Sequence, residues 1–300
     1  MSFIDRLDAA VTDVGHPLVL GIDPHLDLLP TDFAAARSAE ASEEERADQL
    51  EAFCSELIDL AAGRVAAVKP QAAFFETLGA HGMRAFENTV IKARKASLLV
   101  IGDVKRGDVP STAKAYASAY LGKREAACDA ITVNPYLGAD ATEPFLEACR
   151  EHHRGLFILV RTSNPKSGLF QDHGQPPLCE TVAAAVSQWG VGLVGECGFS
   201  SVGAVCGATH IDELASLRKK MPHTPLLLPG FGAQGASAKD CVCAFPDPTN
   251  PLRGALINSS RGIAFAYRKP EHAQRSWKDA AAHALATTIE ELRSALISAR

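Results

Sequence analysis

The chain contains no Cys-x-x-Cys pair, no long run of Lys and Arg, and no apolar segment long enough to span a bilayer. Eight cysteines, scattered from Cys54 to Cys243 over 300 residues, outline neither a zinc site nor a disulfide framework, so buried free thiols are expected. A net charge of −5 without basic clusters leaves no footprint for nucleic acid or for an anionic membrane surface, so an anion could be bound only in a local, focused site. The opening MSFIDRLDAAV carries charge from its fifth residue where a signal peptide would be apolar, and a cytoplasmic location is the expectation. No linker, internal repeat or low-complexity tract divides the chain, which is expected to form one domain over residues 1–300.

What the sequence does have is eight short, mostly apolar runs, at 17–22, 65–68, 98–101, 130–133, 156–160, 202–206, 226–228 and 255–257. Continuous apolar runs of this length suit parallel strands buried on both faces. Helical spacing lies between most of them, at 48–62, 78–95, 113–121, 141–152, 178–189 and 211–220, and a long amphipathic helix over 276–298 closes the chain. Pro110 suits the first turn of the helix that Gly122 can end. Eight strands in this order predict a (β/α)8 TIM barrel; a doubly wound sheet needs no eighth strand. The Ala-, Ser- and Glu-rich stretch 31–46 reads as a surface insertion. Residues 191–201 compete with 202–206 for the sixth strand.

The chemistry gathers where these runs end. After the third, reading LLVIG, the chain turns polar as DVKRGD, placing Asp103, Lys105 and Asp108 within six positions. Parallel sheets keep their catalytic groups at such carboxyl ends. Asp103 and Lys105 lie two apart, so extended backbone points both to one side, while Asp108 follows the turn and can face back or away. A lysine flanked by carboxylates is held as the ammonium, which suits a proton donor better than a Schiff-base nucleophile. Lys69 ends the second run and should project into the barrel mouth. With Asp103, Lys105 and Asp108 it makes an alternating set of two cations and two anions that can be desolvated together.

The stretch PGFGAQG contains Gly230, Gly232 and Gly235 in a G-x-G-x-x-G, but after the seventh strand, which excludes the dinucleotide fingerprint of a first βα turn. No G-K-[ST] is present. Loops after strands seven and eight of a barrel form a phosphate site, for which Gly230 and Gly235 free backbone N–H groups and Gln234 adds a neutral donor. Arg261, just beyond the eighth strand, offers a planar fork matched to phosphate oxygens. His152-His153 lacks a third ligand, Cys241 and Cys243 lack partners, and Thr162-Ser163 has no adjacent base, so these read as structural or, for Ser163, substrate-contacting.

These residues carry a resemblance. LGIDPH, VKPQAAFFE, IGDVKRGDVPST, TVNPY, VRTSNP, VGAVCGAT, PGFGAQG and NSSRGI, at the ends of successive runs over nearly the whole chain, resemble the orotidine 5′-phosphate decarboxylase family in its longer bacterial form. The resemblance implies that Lys69, Asp103, Lys105 and Asp108 are the family's Lys-Asp-Lys-Asp tetrad. Lys105 would protonate C6 of the pyrimidine and Asp103 would lie against the substrate carboxylate. Asp23 with Lys69 would hold the ribose hydroxyls, Ser163 the pyrimidine, and Gln234 with Arg261 the phosphate. Asp108 and Thr112 would reach into the neighbouring site of a homodimer. The family uses no cofactor or metal. Arg161-Thr162 departs from the acidic residue and Met of shorter members. Two alternatives compete: a magnesium-dependent sugar-phosphate decarboxylase or hexulose-phosphate synthase of the same barrel superfamily, in which an acidic residue stands where Lys69 is here, and a non-catalytic phosphate-binding regulator.

Overall fold

The computed structural model describes residues 1–207, 211–230, 237–247 and 252–298. Eight parallel strands close in chain order into a barrel: β1 (Leu18–Ile22), β2 (Ala67–Pro70), β3 (Leu99–Arg106), β4 (Ala130–Val133), β5 (Gly155–Arg161), β6 (Val202–Cys206), β7 (Leu226–Leu228) and β8 (Ala255–Ser259), with β8 pairing back onto β1. The helices are α1 (Phe3–Val14), α2 (Glu43–Ala61), α3 (Ala72–Glu76), α4 (Gly79–Lys95), α5 (Pro110–Leu121), α6 (Ala139–His152), α7 (Gly168–Gln171), α8 (Leu178–Trp189), α9 (Ile211–Lys220), α10 (Arg261–Ala264) and α11 (Trp277–Ser298). The predicted (β/α)8 architecture is the one found, and Val202–Cys206 is the sixth strand. Residues 191–201 form a short 3-10 turn and a single antiparallel bridge between Val194 and Ser200. None of the described helices is long and apolar enough to cross a membrane.

Strand periodicity divides the core in two. Leu20, Val68, Val100, Ile131, Ile158, Ala204, Leu226 and Ile257 join the large cluster shared with the surrounding helices. The alternate positions Val19, Ala67, Ile101, Ala130, Phe157, Val205, Leu227 and Leu256, one from every strand, meet inside the barrel. Helix α1, which has no counterpart among the sequence expectations, lays Phe3, Ile4, Leu7 and Val11 against this inner layer. Phe3 meets Phe157 edge-on with ring centroids 6.3 Å apart. The Ser2 hydroxyl caps the helix by accepting from the Asp5 N–H. The floor of the barrel at its amino-terminal end is thus filled with apolar side chains, flanked by buried Asp129, which pairs with Arg6 at 2.8 Å and Arg154 at 3.3 Å.

Two expectations need correction. Strand β3 does not stop at Gly102 but continues through Asp103 to Arg106, with a register shift against β4 between Gly102 and Arg106. Residues 31–46 are not simply a surface insertion. Glu43–Arg46 is the first turn of α2, closed by a capping box between Ser42 and Glu45. Phe33 is buried, with its ring 5.5 Å from Phe53 and 5.6 Å from Trp277 of α11. Asp32 accepts from the Trp277 indole N–H at 3.0 Å. The segment straps α2 to the carboxyl-terminal helix, and aromatic burial of this kind is worth about 3 kcal/mol per ring.

At the entrance to β1, His16 is buried and both ring nitrogens are used. Nδ1 accepts from the Leu18 N–H at 3.2 Å, so Nε2 carries the proton and donates to the Arg64 carbonyl at 2.9 Å. That arrangement needs the neutral ring, and burial pushes its pKa down to about 4 from an ordinary 6.5. The unfolded chain therefore binds the extra proton first, and the stability His16 contributes is present above pH 6.5 and lost as the pH falls towards 4. The urea midpoint of the wild type is expected to drop more between about pH 7.5 and about pH 4.5 than that of His16→Gln. Parallel drops in the two proteins would remove His16 from this role.

Candidate active site

Continuing each inward-facing row one step towards the carboxyl end of the barrel changes its chemistry. Beyond Val19, Ala67, Ile101, Ala130 and Leu256 come Gly21, Lys69, Asp103, Thr132 and Asn258, so polar groups crowd the mouth above an apolar floor. Asp103 Oδ2 accepts from the Lys69 ammonium at 2.6 Å. Its Oδ1 accepts from the Lys105 ammonium at 2.5 Å and from the Thr132 hydroxyl at 3.0 Å. The Lys69 and Asp103 side chains are only 6% and 9% exposed, whereas that of Lys105 is 46% exposed and reaches into open space.

Burial alone would lower the pKa of Lys69, but the charges of Asp103 and Asp23 outweigh it and raise the value above the ordinary lysine range. Burial alone would likewise raise that of Asp103, yet Lys69 and Lys105 hold its carboxyl well below the usual carboxylate range. A buried carboxylate with two ammonium partners and a hydroxyl donor is satisfied as the anion. Lys69, Asp103, Lys105 and Thr132 line a cavity of about 180 Å³ together with the apolar Leu159, Val205, Leu227 and Pro229 and with Thr162, Ser163 and Asn164 after β5. The cavity thus joins charged and apolar lining.

At the β8–β1 seam the mouth holds three buried polar atoms without hydrogen-bond partners among the described residues: Asp23 Oδ1, Asn258 Oδ1 and Ser260 Oγ. Gly21 makes room for them, since a Cβ there would stand 2.7 Å from the Ser260 Cβ and 3.0 Å from Asn258 Oδ1. Uncompensated buried polar groups each cost about 1–3 kcal/mol, and such groups in a mouth are ready to meet a polar ligand. Thr132, Asn258 and Ser260 were not among the expected site residues. Thr132 lies within TVNPY and Asn258 and Ser260 within NSSRGI, and the period of two that links each to an inward apolar neighbour is the signal that could have singled them out.

The fourth expected member of the charged set lies elsewhere. Asp108 Oδ1 accepts from the Val109 N–H at 2.7 Å, at the start of α5, and no ion pair joins it to Lys69 or Lys105 of its own chain among the described residues. The alternating set of four is therefore a linked set of three within one chain, with Asp23 acting on Lys69 through its charge. Thr112 is half-buried in the first turn of α5. Gly230 follows β7 with φ +91°, a left-handed conformation that favours glycine. Gln234 and Gly235 lie outside the described residues. Arg261 opens α10; its charge helps hold the pKa of half-buried His25 below the ordinary range, a shift set first by burial and opposed by Asp23. Arg261 also faces a second cavity, of about 600 Å³, with Lys269, His272 and His283.

Arg161, the departure noted in the sequence, is buried at the end of β5. It pairs with Glu213 of α9 at 2.8 Å and with Asp172 at 2.8 Å, and Gln171 accepts from the Thr162 N–H at 2.9 Å. The segment carrying Ser163 is thereby tied to the barrel at both ends. Among the described residues, no group of three or more His, Cys, Asp or Glu side chains is placed to hold a metal ion.

Residues 16–276 match the family model described as orotidine 5′-phosphate decarboxylase / HUMPS family. The chain is 43% identical to the orotidine 5′-phosphate decarboxylase of Rhodopirellula baltica, over 98% of this chain and 99% of that protein. It is 39% identical to that of Caldicellulosiruptor saccharolyticus, over 91% and 92%. The structure of Leishmania donovani OMP decarboxylase superposes with a TM-score of 0.75 at 30% identity, covering 99% of both chains. A match over so much of the chain places this protein in the orotidine 5′-phosphate decarboxylase / HUMPS family.

Proposed function

We propose that the protein decarboxylates orotidine 5′-phosphate to uridine 5′-phosphate, without a cofactor or metal. The observation that carries this reading is the Lys69–Asp103–Lys105 network lining a cavity shared with the apolar side chains of Leu159, Val205, Leu227 and Pro229. A pyrimidine ring has the same mix, polar at its edges and apolar on its faces. In this reading the substrate carboxylate lies against Asp103. The bond from C6 to the carboxylate carbon breaks, its electron pair stays on C6, and carbon dioxide leaves. The Lys105 ammonium, fixed by Asp103, stabilises that carbanion and then gives C6 its proton, leaving a neutral amine that solvent reprotonates. Asp23 and Lys69 hold the ribose hydroxyls, Ser163 the ring, and Gly230, Gln234, Gly235 and Arg261 the phosphate. Phosphate contacts remote from C6 supply binding energy that aligns the reacting carbon.

Asp108 and Thr112 serve the partner's site in a homodimer. In favour of that arrangement, Val109, Tyr136 and Leu137, on the loops that follow the neighbouring strands β3 and β4, expose large apolar side chains beside Asp108 (52%, 79% and 44% exposed). A metal-dependent sugar-phosphate reaction fits less well, because the end of β2 presents the Lys69 ammonium where such a site needs an anion, and a cation repels a divalent ion. Incubating the purified protein with orotidine 5′-phosphate and EDTA, with nucleotides followed by chromatography, is expected to yield uridine 5′-phosphate. No product with or without magnesium would overturn the reading, and activity lost to EDTA and restored by magnesium would overturn its metal-free part.

A further inference from the structure

We propose that Thr132 is a positioning residue for this reaction, holding the backbone of the proton donor Lys105 and the Asp103 carboxylate in register; the proposal rests on the functional reading above. Thr132 is 1% exposed on β4, two residues beyond the inward-facing Ala130. Its hydroxyl accepts from the Lys105 backbone N–H at 2.9 Å and donates to Asp103 Oδ1 at 3.0 Å. The direction of both bonds is determined, because a backbone N–H can only donate and an ionised carboxylate can only accept, and a hydroxyl can do both at once.

The need for this bond lies in β3. Lys105 has φ +45°, in the left-handed region that a residue with a Cβ adopts only under constraint. It sits where β3 shifts register against β4, between Gly102 and Arg106. The regular ladder is interrupted there, and the Thr132 side chain takes the Lys105 N–H in place of a β4 carbonyl. Without the hydroxyl, Lys105 can relax towards negative φ, which swings its Cα–Cβ bond and carries the ammonium away from the reacting carbon. Asp103 would also lose one of its three donors. The side chain needs no contact with substrate to act in this way.

Thr132→Val keeps the branched shape and removes the hydroxyl. It is expected to lower kcat about 10- to 100-fold, the scale of an ångström-sized misplacement of a catalytic group, while the Kd for uridine 5′-phosphate stays within about threefold of wild type. Thr132→Ser, which keeps the hydroxyl but loses the methyl, is expected to recover kcat to within about threefold. A residue needed only for packing would behave the other way, with Ser as damaging as Val and with nucleotide affinity and thermal midpoint falling alongside kcat. That pattern overturns the proposal, as does a Val variant with wild-type kcat. If the wild-type protein itself fails to turn over orotidine 5′-phosphate, the functional reading falls and this role with it; wild-type turnover with an unaffected Val variant removes the role of Thr132 alone.

Discussion

Lys105→Ala is expected to lower kcat/KM for orotidine 5′-phosphate by at least about 10⁴-fold, while uridine 5′-phosphate still binds within about tenfold of wild type. A positioned general acid contributes about 10²–10⁴, and a fixed charge at a developing anion about another 10²–10³. The lower end of the product is the safer figure, because water can protonate the carbanion once carbon dioxide has left. The variant is a clean test on three counts. Its side chain is about half exposed, so the fold does not depend on it. Ala retains the Cβ, so the backbone cost of φ +45° is the same in both proteins. Asp103 keeps Lys69 and Thr132 as donors and stays satisfied. Retention of more than about a hundredth of wild-type kcat/KM would show that Lys105 neither stabilises the carbanion nor delivers its proton.

Subunit exchange between two inactive proteins is expected to restore activity. Asp108→Asn removes the carboxylate charge but leaves an oxygen to accept from the Val109 N–H, so the start of α5 is preserved. If Asp108 serves the neighbouring site, a dimer of one Lys105→Ala chain and one Asp108→Asn chain collects both lesions in one site and leaves the other intact. Random exchange makes half of the dimers mixed, and one site in two of each is wild type, so activity should return to about one quarter of the wild-type value. If every chain completes its own site, each site in the mixture carries one lesion and nothing returns. Absence of recovery, with exchange verified by mass spectrometry of the intact dimers, would place Asp108 in its own chain's site.

The legible parts of this protein share a physical cause. A parallel strand covered by helices on one side and by a packed barrel on the other must be apolar at nearly every position, so β4, β6 and β7 stand out as short runs whose ends in the structure match the sequence reading. Lys69 is legible for the same reason, since a charge that terminates an apolar run can only be at a mouth. The reading failed where tertiary partners reverse a local preference. Asp103 looks like the end of a strand because an isolated carboxylate is costly to bury, yet β3 runs through it, because Lys69, Lys105 and Thr132 from three strands make the anion stable there. Phe33 sits in an Ala- and Ser-rich stretch whose only sign of burial is the ring itself, and Phe53 and Trp277, remote in sequence, make it core.

The sequence by itself determined the barrel, the order of its strands and the ends at which Lys69, Asp103 and Lys105 stand, because those follow from period, apolar runs and residue chemistry along a single strand. Only the tertiary structure decided that Thr132 holds Lys105 to Asp103, that Asn258 and Ser260 face the mouth with Asp23, that α1 fills the barrel floor, and that Asp108 accepts from the Val109 N–H and, among the described residues, forms no ion pair with its own chain's Lys69 or Lys105. Each of these is a relation between elements set side by side by barrel closure, and a hydrogen bond between neighbouring strands is decided by their register, which no pattern along one strand contains.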